Sequence, residues 1–196
     1  MSSVACAIII AVLCVSGTTA RAATVGGTIG GSGSPAAPAV AYLQGPSAGT
    51  PAGAKARVVM DQKNLTFLPP VLPVVRGTTI EFTNNDDVQH NVFSPSQVAG
   101  KFNLGTYGPG ATRTVTLDQP GDVLVLCNIH MEMEGHILVL DTPYFSMVAP
   151  DGHYQIPDVP AGTYTLKIWR ERWLPFAKTV DVPTSGSLTV DIETER

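Results

Sequence analysis

A cysteine, a histidine and a methionine follow one another at three-residue intervals directly after an apolar, strand-like run. The run Val123–Leu126 leads into Cys127, and then into His130 and Met133, whereas a second histidine, His90, lies well upstream. A chain that brings these four side chains together must hold two distant segments side by side, and a rigid β-sheet framework does this. The sequence therefore predicts a metal site that is assembled by the tertiary structure.

The chemistry of the four side chains narrows the choice of metal. One thiolate, two imidazoles and one thioether form the ligand set of a blue-copper electron-transfer site, with the thioether as the weak axial ligand. A lone cysteine is more often a buried apolar residue than a ligand, but the spacing from Cys127 to His130 and Met133 favours the copper interpretation. Met131 and Glu132 remain alternatives to Met133 as the axial ligand.

The first 22 residues have the pattern of an export signal. The segment Val4–Val15 is almost wholly apolar but too short to cross a bilayer, and Ala20-Arg21-Ala22 is typical of a signal-peptidase cleavage site. We expect residues 1–22 to be removed near Ala22 and the protein to be periplasmic. No Lys or Arg precedes the apolar run, so an uncleaved N-terminal anchor is the alternative.

The cysteine count and the net charge limit which disulfides and which binding partners are possible. Cys6 and Cys14 would leave with the signal peptide, so Cys127 would have no cysteine in its own chain with which to form a disulfide. The full chain has 12 Lys and Arg against 16 Asp and Glu. This acidic balance, without a basic stripe, predicts no nucleic-acid partner and no membrane contact beyond the signal peptide.

Short alternating segments predict an all-β fold. In Thr78–Thr83, for example, Ile80 and Phe82 would point inward and Glu81 outward, and no segment has a sustained helical period. Gly, Pro and Asn separate such segments at regular intervals, as in an antiparallel sandwich or barrel. The glycine-rich stretch Gly100–Gly110 is predicted to be a loop.

The chain divides into three segments after the signal peptide. Residues 23–54 contain two short apolar pieces, Thr24–Ile29 and Ala39–Leu43, which suggest edge strands. Residues 55–141 contain the candidate ligands. Residues 142–196 show only four strand signals, too few for a core of their own.

The segment from about Lys55 to Leu140 resembles the cupredoxins in its strand pattern over Gly77–Asn85, its His90-Asn91-Val92 and its Cys127-x-x-His130-x-x-Met133. The resemblance implies a Greek-key β-sandwich that binds copper. It also implies equatorial ligands at His90, Cys127 and His130, an axial ligand at Met133, and an Asn91 side chain that ties the two ligand loops together. The ring edge of His130 would reach the surface and pass the electron.

Two further strings extend the resemblance to the whole chain. The string Leu140–Phe145 is similar to one in exported bacterial proteins labelled methylamine utilisation proteins. The stretch from Asp151 to Tyr164 resembles a carboxypeptidase-regulatory, transthyretin-like sandwich with an immunoglobulin-like arrangement of strands. Such a sandwich opens with a Gly-rich strand and a Val-x-Leu strand, which Val25–Gly30 and Val40–Leu43 fit. The resemblance therefore implies that residues 24–45 pair with residues 144–194 in one small sandwich, with the copper-binding segment inserted between them. The implied role of this second unit is docking or stability.

These observations predict a periplasmic type 1 copper protein that transfers single electrons to or from an unidentified redox partner protein. We expect no enzyme, because no Ser/His/Asp set, acid–base pair or open catalytic metal site is recognisable. A copper carrier or sensor that binds Cu(I) and delivers it to a partner is the alternative. A degenerate copper domain that serves in adhesion is a third possibility.

Overall fold

The computed structural model of the chain describes residues 22–31, 37–45, 57–97 and 100–194. These residues form seventeen strands and no helix, which confirms the predicted all-β class. The strands are β1 (Ala22–Gly31), β2 (Ala39–Gln44), β3 (Arg57–Lys63), β4 (Thr66–Leu68), β5 (Val71–Val75), β6 (Thr78–Asn84), β7 (His90–Ser94), β8 (Phe102–Tyr107), β9 (Thr112–Leu117), β10 (Gly121–Leu126), β11 (Glu134–Leu140), β12 (Phe145–Met147), β13 (His153–Pro160), β14 (Gly162–Arg170), β15 (Phe176–Val182), β16 (Gly186–Thr189) and β17 (Ile192–Thr194).

The predicted signal peptide lies outside the described residues, except for Ala22, and stays a prediction. Within the described ranges, the search for a helix long and apolar enough to cross a membrane finds none.

Strands β3 to β11 form a first sandwich of two sheets. One sheet has the order β4-β3-β6-β9 and the other β5-β11-β10-β7-β8. Alternation in β6 explains how the sheets face each other, because Ile80 and Phe82 are fully buried while Glu81 between them is half-buried. Phe67 and Phe82 pack edge to face in this core, with ring centroids 6.5 Å apart.

The remaining strands form a second sandwich. Its sheets have the orders β13-β1-β16, with β17 also paired to β1, and β12-β2-β14-β15. Strands from residues 24–45 thus lie among the C-terminal strands. They are central in their sheets, however, so the expectation that these two pieces are edge strands is wrong. The limits of the predicted segments 23–54, 55–141 and 142–196 stay predictions.

Glycines in β1 explain its central place. A side chain on Gly27 would overlap the backbone carbonyl of Val190, and one on Gly26 would come within 3.0 Å of the Tyr154 carbonyl oxygen. Glycine within a strand commonly marks such a close backbone approach. The short apolar pieces alone indicate an edge strand, whereas in the structure the glycines of β1 allow strands to pair on both of its sides.

Strand β8 corrects a second expectation. Residues Phe102–Tyr107 were predicted to be part of a loop, but they pair antiparallel with β7, with His90 opposite Tyr107. The glycine at position 105 interrupts the strand pattern in the sequence. In the structure it adopts a φ of 74°, and the residues on either side of it still pair with β7. The strand matters for the site because it covers the outer side of β7, which begins at His90.

The two sandwiches pack against each other through an apolar layer. Its buried residues come from β2, β5 and β11, and its half-buried residues from β2, β12 and β14. They are Val40, Val71, Leu138 and Leu140, with Tyr42, Phe145 and Trp169 packed against them. On β11 the alternation places Ile137 and Val139 in the core of the first sandwich, and Leu138 and Leu140 in this layer. Four sheets are therefore stacked, and β11 contributes to two of the three interfaces.

Candidate metal centre

Two neighbouring strands bring the candidate ligands to one end of a sheet. His90 is the first residue of β7, and Cys127 directly follows β10, which pairs with β7. Residues 127–133 form the loop between β10 and β11, which continue as an antiparallel pair from Leu126 opposite Glu134. The segment of His90 and the loop that carries Cys127 and His130 therefore meet at one end of the sheet, where the pairing of β7 with β8 shifts register between Asn91 and Phe93.

The donor atoms of three predicted ligands converge. One side-chain donor atom from each of His90, Cys127 and His130 lies within 4.8 Å of the other two. The Sγ of Cys127 is 3.8 Å from Nδ1 of His130, which in turn is 3.1 Å from Nδ1 of His90. His90 and Cys127 are buried, whereas His130 is half-buried. A search of the described residues for His, Cys, Asp and Glu side chains close enough together to hold a metal ion finds this group.

The spacing of the two imidazoles tests whether a metal fits. Two ring nitrogens held 3.1 Å apart would repel through their lone pairs unless a proton or a cation lies between them. The thiol of Cys127 adds a soft donor to the same point, and copper accepts both imidazole and thiolate. The donor set therefore fits a copper ion.

Met133 completes the predicted set by its position and burial. Its backbone N–H donates to the His130 carbonyl at 3.0 Å, and its own carbonyl accepts the Cys127 N–H at 3.3 Å, so the loop closes on itself. Its side chain is only 1% exposed and belongs to the same core cluster as Cys127, whereas Met131 is 89% exposed and Glu132 is also exposed. Burial favours Met133 over both alternatives, and its axial role stays a prediction.

Asn91 links the two ligand segments through its backbone. Its N–H points at Sγ of Cys127 over 3.5 Å. Its side-chain amide instead donates to Oδ1 of Asn103 on β8, so the side-chain link between the ligand loops implied by the resemblance is replaced by a backbone one. A hydrogen bond to the sulfur stabilises its thiolate form and so tunes a bound metal.

Asp86 contacts a candidate ligand, and the sequence analysis does not identify it. Its Oδ2 lies 2.8 Å from Nε2 of His90, whose side chain is fully buried. An ionised carboxylate only accepts hydrogen bonds, so Nε2 of His90 is the donor in this contact. A carboxylate four residues before a ligand histidine was the available signal, but in Asn84-Asn85-Asp86-Asp87 it looked like ordinary polar loop chemistry.

The carboxylate of Asp86 is itself held on both oxygens. The backbone N–H of Asn64 donates to Oδ1 at 2.7 Å, and that of Leu65 donates to Oδ2 at 2.9 Å. Burial acts to raise the pKa of Asp86, but the hydrogen bonds from Leu65, His90 and Asn64 outweigh it and lower the pKa below the ordinary value. Asp86 is therefore a charged acceptor beside the candidate ligand.

Buried polar side chains next to the ligand segments form a network of hydrogen bonds. The side-chain amide of Asn84 donates to the carbonyls of Val88 and Tyr107, at 2.8 and 3.3 Å, and its Oδ1 accepts the Asp86 N–H at 3.0 Å. The Tyr107 hydroxyl accepts a hydrogen bond from Nε2 of Gln62, and burial raises its pKa to about 12. These bonds fix the turn between β6 and β7 that presents His90.

Comparison with known proteins agrees with this geometry. Residues 54–140 match the family of copper binding proteins of the plastocyanin/azurin type. This segment is a cupredoxin domain. The match covers less than half of the chain, and residues outside 54–140 lie beyond it. Together with the donor set of His90, Cys127 and His130, the family identifies copper as the cofactor of the domain.

Several solved structures are similar to parts of the chain. A purple cupredoxin from Nitrosopumilus maritimus is 23% identical over 43% of this chain and 99% of its own, with a TM-score of 0.38. A reduced amicyanin mutant is 23% identical over 51% of this chain and 98% of its own, with a TM-score of 0.42. A copper-containing nitrite reductase from Thermus scotoductus SA-01 is 29% identical over 43% of this chain, with a TM-score of 0.41; the chain spans 22% of that reductase. No curated protein sequence matches significantly.

Proposed function

We propose that the protein is an exported type 1 copper protein that carries single electrons between redox partners and does not turn over a substrate. The observation that carries this proposal is the convergence of one thiol and two imidazoles within 4.8 Å. Bound copper would supply a one-electron couple at this point. The role of the chain is to hold its donors in fixed positions, so that little has to move when the charge changes.

The unequal burial of the donors supports a carrier. His90 and Cys127 are 0% and 4% exposed, so solvent is kept from the sulfur and from one imidazole. Half-buried His130 lies in the same cluster and connects it to the surface. Exposed Ile129 and Met131 flank this histidine, at 45% and 89% exposure. The ring of His130 is therefore the proposed point at which a redox partner makes electronic contact.

The cellular location and the role of the second sandwich complete the proposal. The signal-like residues 1–22 support export to the periplasm. The pairing of β1 and β2 with the C-terminal strands supports a carboxypeptidase-regulatory, transthyretin-like sandwich, as in the methylamine utilisation proteins that the sequence resembles. Its proposed role is to stabilise the copper domain or to dock a partner.

Titration of the purified protein with Cu(II) tests the function. We expect one equivalent to bind and to give the intense visible absorption of a Cys–Cu(II) bond, together with a type 1 electron spin resonance spectrum. Cys127→Ser should abolish the visible band and leave the fold intact, because a serine hydroxyl has a similar size but is a hard donor. A band that persists in this variant would remove the thiolate from the site.

Met133→Gln tests the axial ligand. We expect the variant to keep copper but to shift the colour and the reduction potential, because an amide oxygen replaces a soft sulfur. Met131→Gln is the matched control, since Met131 is 89% exposed. A spectrum that changes in the control and not in Met133→Gln would make Met131 the axial ligand. No change in either variant would point to Glu132.

A second function is favoured by the exposed thioether of Met131 beside the candidate ligand His130. Thioethers prefer Cu(I), so a copper carrier or sensor could receive or release the ion there. An electron carrier should keep its copper through repeated oxidation and reduction. A copper carrier should instead lose Cu(I) to a chelator within one reduction cycle, and Met131→Ala should slow that loss.

A further inference from the structure

One charged residue contacts the candidate ligand His90 at Nε2, the ring nitrogen that does not face His130. Oδ2 of Asp86 lies 2.8 Å from Nε2 of His90, and the two side chains are 10% and 0% exposed. We propose that Asp86 is a positioning residue that fixes the tautomer and the orientation of His90 and thereby lowers the reduction potential of the bound copper. This inference rests on the copper site proposed above.

The first step of the argument concerns the tautomer. A neutral imidazole carries one proton, on either Nδ1 or Nε2, and only the nitrogen without the proton can bind a metal. The carboxylate of Asp86 accepts a hydrogen bond from Nε2–H, which leaves Nδ1 of the neutral His90 ring as the atom that can bind the metal. It is Nδ1 that lies 3.1 Å from Nδ1 of His130, in the cluster with Cys127. The hydrogen bond therefore selects the tautomer that the site requires.

The second step concerns rigidity. Asp86 is held by two backbone N–H groups of the turn between β3 and β4, at 2.7 Å from Asn64 and 2.9 Å from Leu65. Its own N–H donates to Oδ1 of Asn84 at 3.0 Å. With both carboxylate oxygens and the backbone engaged, the carboxylate cannot rotate away from His90.

The hairpin between β3 and β4 orients these two N–H groups. Lys63 pairs with Thr66, so Asn64 and Leu65 form its two-residue turn, and their φ angles of 55° and 57° are those that such a turn requires. This turn directs two consecutive N–H groups at one carboxylate.

The third step is electrostatic. A carboxylate hydrogen-bonded to a ligand histidine raises the basicity of the ring, and a negative charge near the metal stabilises the more positive ion. Asp86 is only 10% exposed, so solvent screens its charge weakly. Both effects favour Cu(II) over Cu(I), which lowers the reduction potential.

The experiment compares Asp86→Asn with Asp87→Asn. Asp87 is the next residue, carries the same charge and is exposed, so its replacement removes a neighbouring charge without touching His90. We expect Asp86→Asn to weaken Cu(II) binding by about 10–100-fold and Cu(I) binding less. A tenfold difference between the two ions corresponds to a rise in potential of about 59 mV. Asp87→Asn should leave affinity and potential near those of the wild type. Equal effects of the two variants would overturn the proposal.

A second measurement does not depend on the variant or on copper. The ¹⁵N shifts of the His90 ring in the metal-free wild-type protein report which nitrogen carries the proton. We expect the proton on Nε2 and slow exchange with water, because the ring is fully buried. A proton on Nδ1 would overturn the proposal even if Asp86→Asn failed to fold. A wild-type protein that binds no copper would instead refute the proposed function, while the tautomer would still be measurable.

Discussion

The two sandwiches are built alike but bury different chemistry. With the exception of Thr142, which lies between β11 and β12, the buried polar side chains of the described residues all belong to the first sandwich. They are Gln62, Thr78, Asn84, His90, Asn91 and Ser94. In the second sandwich, two large buried tyrosines complete backbone hydrogen bonds: the hydroxyl of Tyr154 donates to the Val190 carbonyl at 2.7 Å, and that of Tyr164 to the Pro160 carbonyl at 3.1 Å.

This difference distinguishes the sandwich that holds the candidate metal site from the sandwich that packs against it. A buried polar group costs free energy unless it is hydrogen-bonded, so a sandwich that contains many must be organised around them. In the first sandwich, Asn84 and Gln62 brace the strands and turns near His90, and Oε1 of Gln62 and Oδ1 of Asn91 have no hydrogen-bond partner. The second sandwich has an ordinary apolar core. We therefore expect substitutions in the two cores to have separable effects.

The largest expected effect is on the stability of the second sandwich. Leu166 is fully buried on β14, and Leu166→Ala should lower the free energy of unfolding by about 2–5 kcal/mol, from lost burial and the cavity left behind. The visible copper spectrum of the folded protein should not change. Urea denaturation and absorption spectra measure the two quantities. Leu188→Ala, at a half-buried position of the same sandwich, should cost less. A changed spectrum in Leu166→Ala would contradict the separation.

The interface between the sandwiches should respond more weakly. Leu138 is 4% exposed and packs between the sheets, so Leu138→Ala should cost about 2 kcal/mol, at the low end for such a truncation because two sheets can settle together. Uncoupled sandwiches would then unfold in two steps, seen as a lower m-value or a split transition. The control is Leu124→Ala, on the same outer face but half-buried. A single unchanged transition would show that the layer contributes little.

The smallest expected effect is a dependence of stability on pH at His136. Its Nδ1 lies 2.9 Å from Oδ1 of Asp122 on β10, and its Nε2 lies 4.0 Å from Oε2 of Glu171, just beyond β14 in the second sandwich. The hydrogen bond to Asp122 raises the pKa of His136 above 6.5, burial opposes this, and the charges of Asp122, Glu171 and Glu134 add to it. Both direct partners are 38% exposed, so the contribution is below about 1 kcal/mol.

The direction of the pH dependence follows from the raised pKa of His136. Its stabilisation of the fold is complete below pH 6.5, where the histidine is charged in both the folded and the unfolded chain. It is lost as the pH rises through the higher pKa of the folded state. Measured unfolding free energies should fall over that interval. His136→Gln should remove this part of the slope, while His153→Gln, at an exposed position, should keep it. Identical slopes in the wild type and His136→Gln would refute the assignment.

Much of the site could be predicted from the sequence because its chemistry is local. Cys127 and His130 lie on one loop, and their residue types permit few other roles when they follow a buried strand. His90 required a longer step, since only a fold brings it across, and that step came from the resemblance to cupredoxins rather than from spacing. Met133 also followed from the pattern, and its burial now distinguishes it from Met131.

The features that the sequence did not predict depend on tertiary neighbours. Asp86 and Asp87 are chemically identical in the sequence, and only the turn at Asn64 and Leu65 determines which one is aimed at His90. The sequence predicts a loop at β8 because glycines lie within and around it, and only the pairing with β7 makes it a strand. The sequence of β1 does not show which backbones approach its glycines, so its central place in the sheet also depends on tertiary neighbours.

Strand β11 connects the candidate metal site to the second sandwich. One face of the strand packs in the copper domain and the other lies against the second sandwich, and the strand begins where the ligand loop ends. A redox partner that binds the second sandwich would therefore hold a unit that packs against the strand at the end of the ligand loop. Under the proposed function, recognition could use the second sandwich while electron exchange uses the surface near His130.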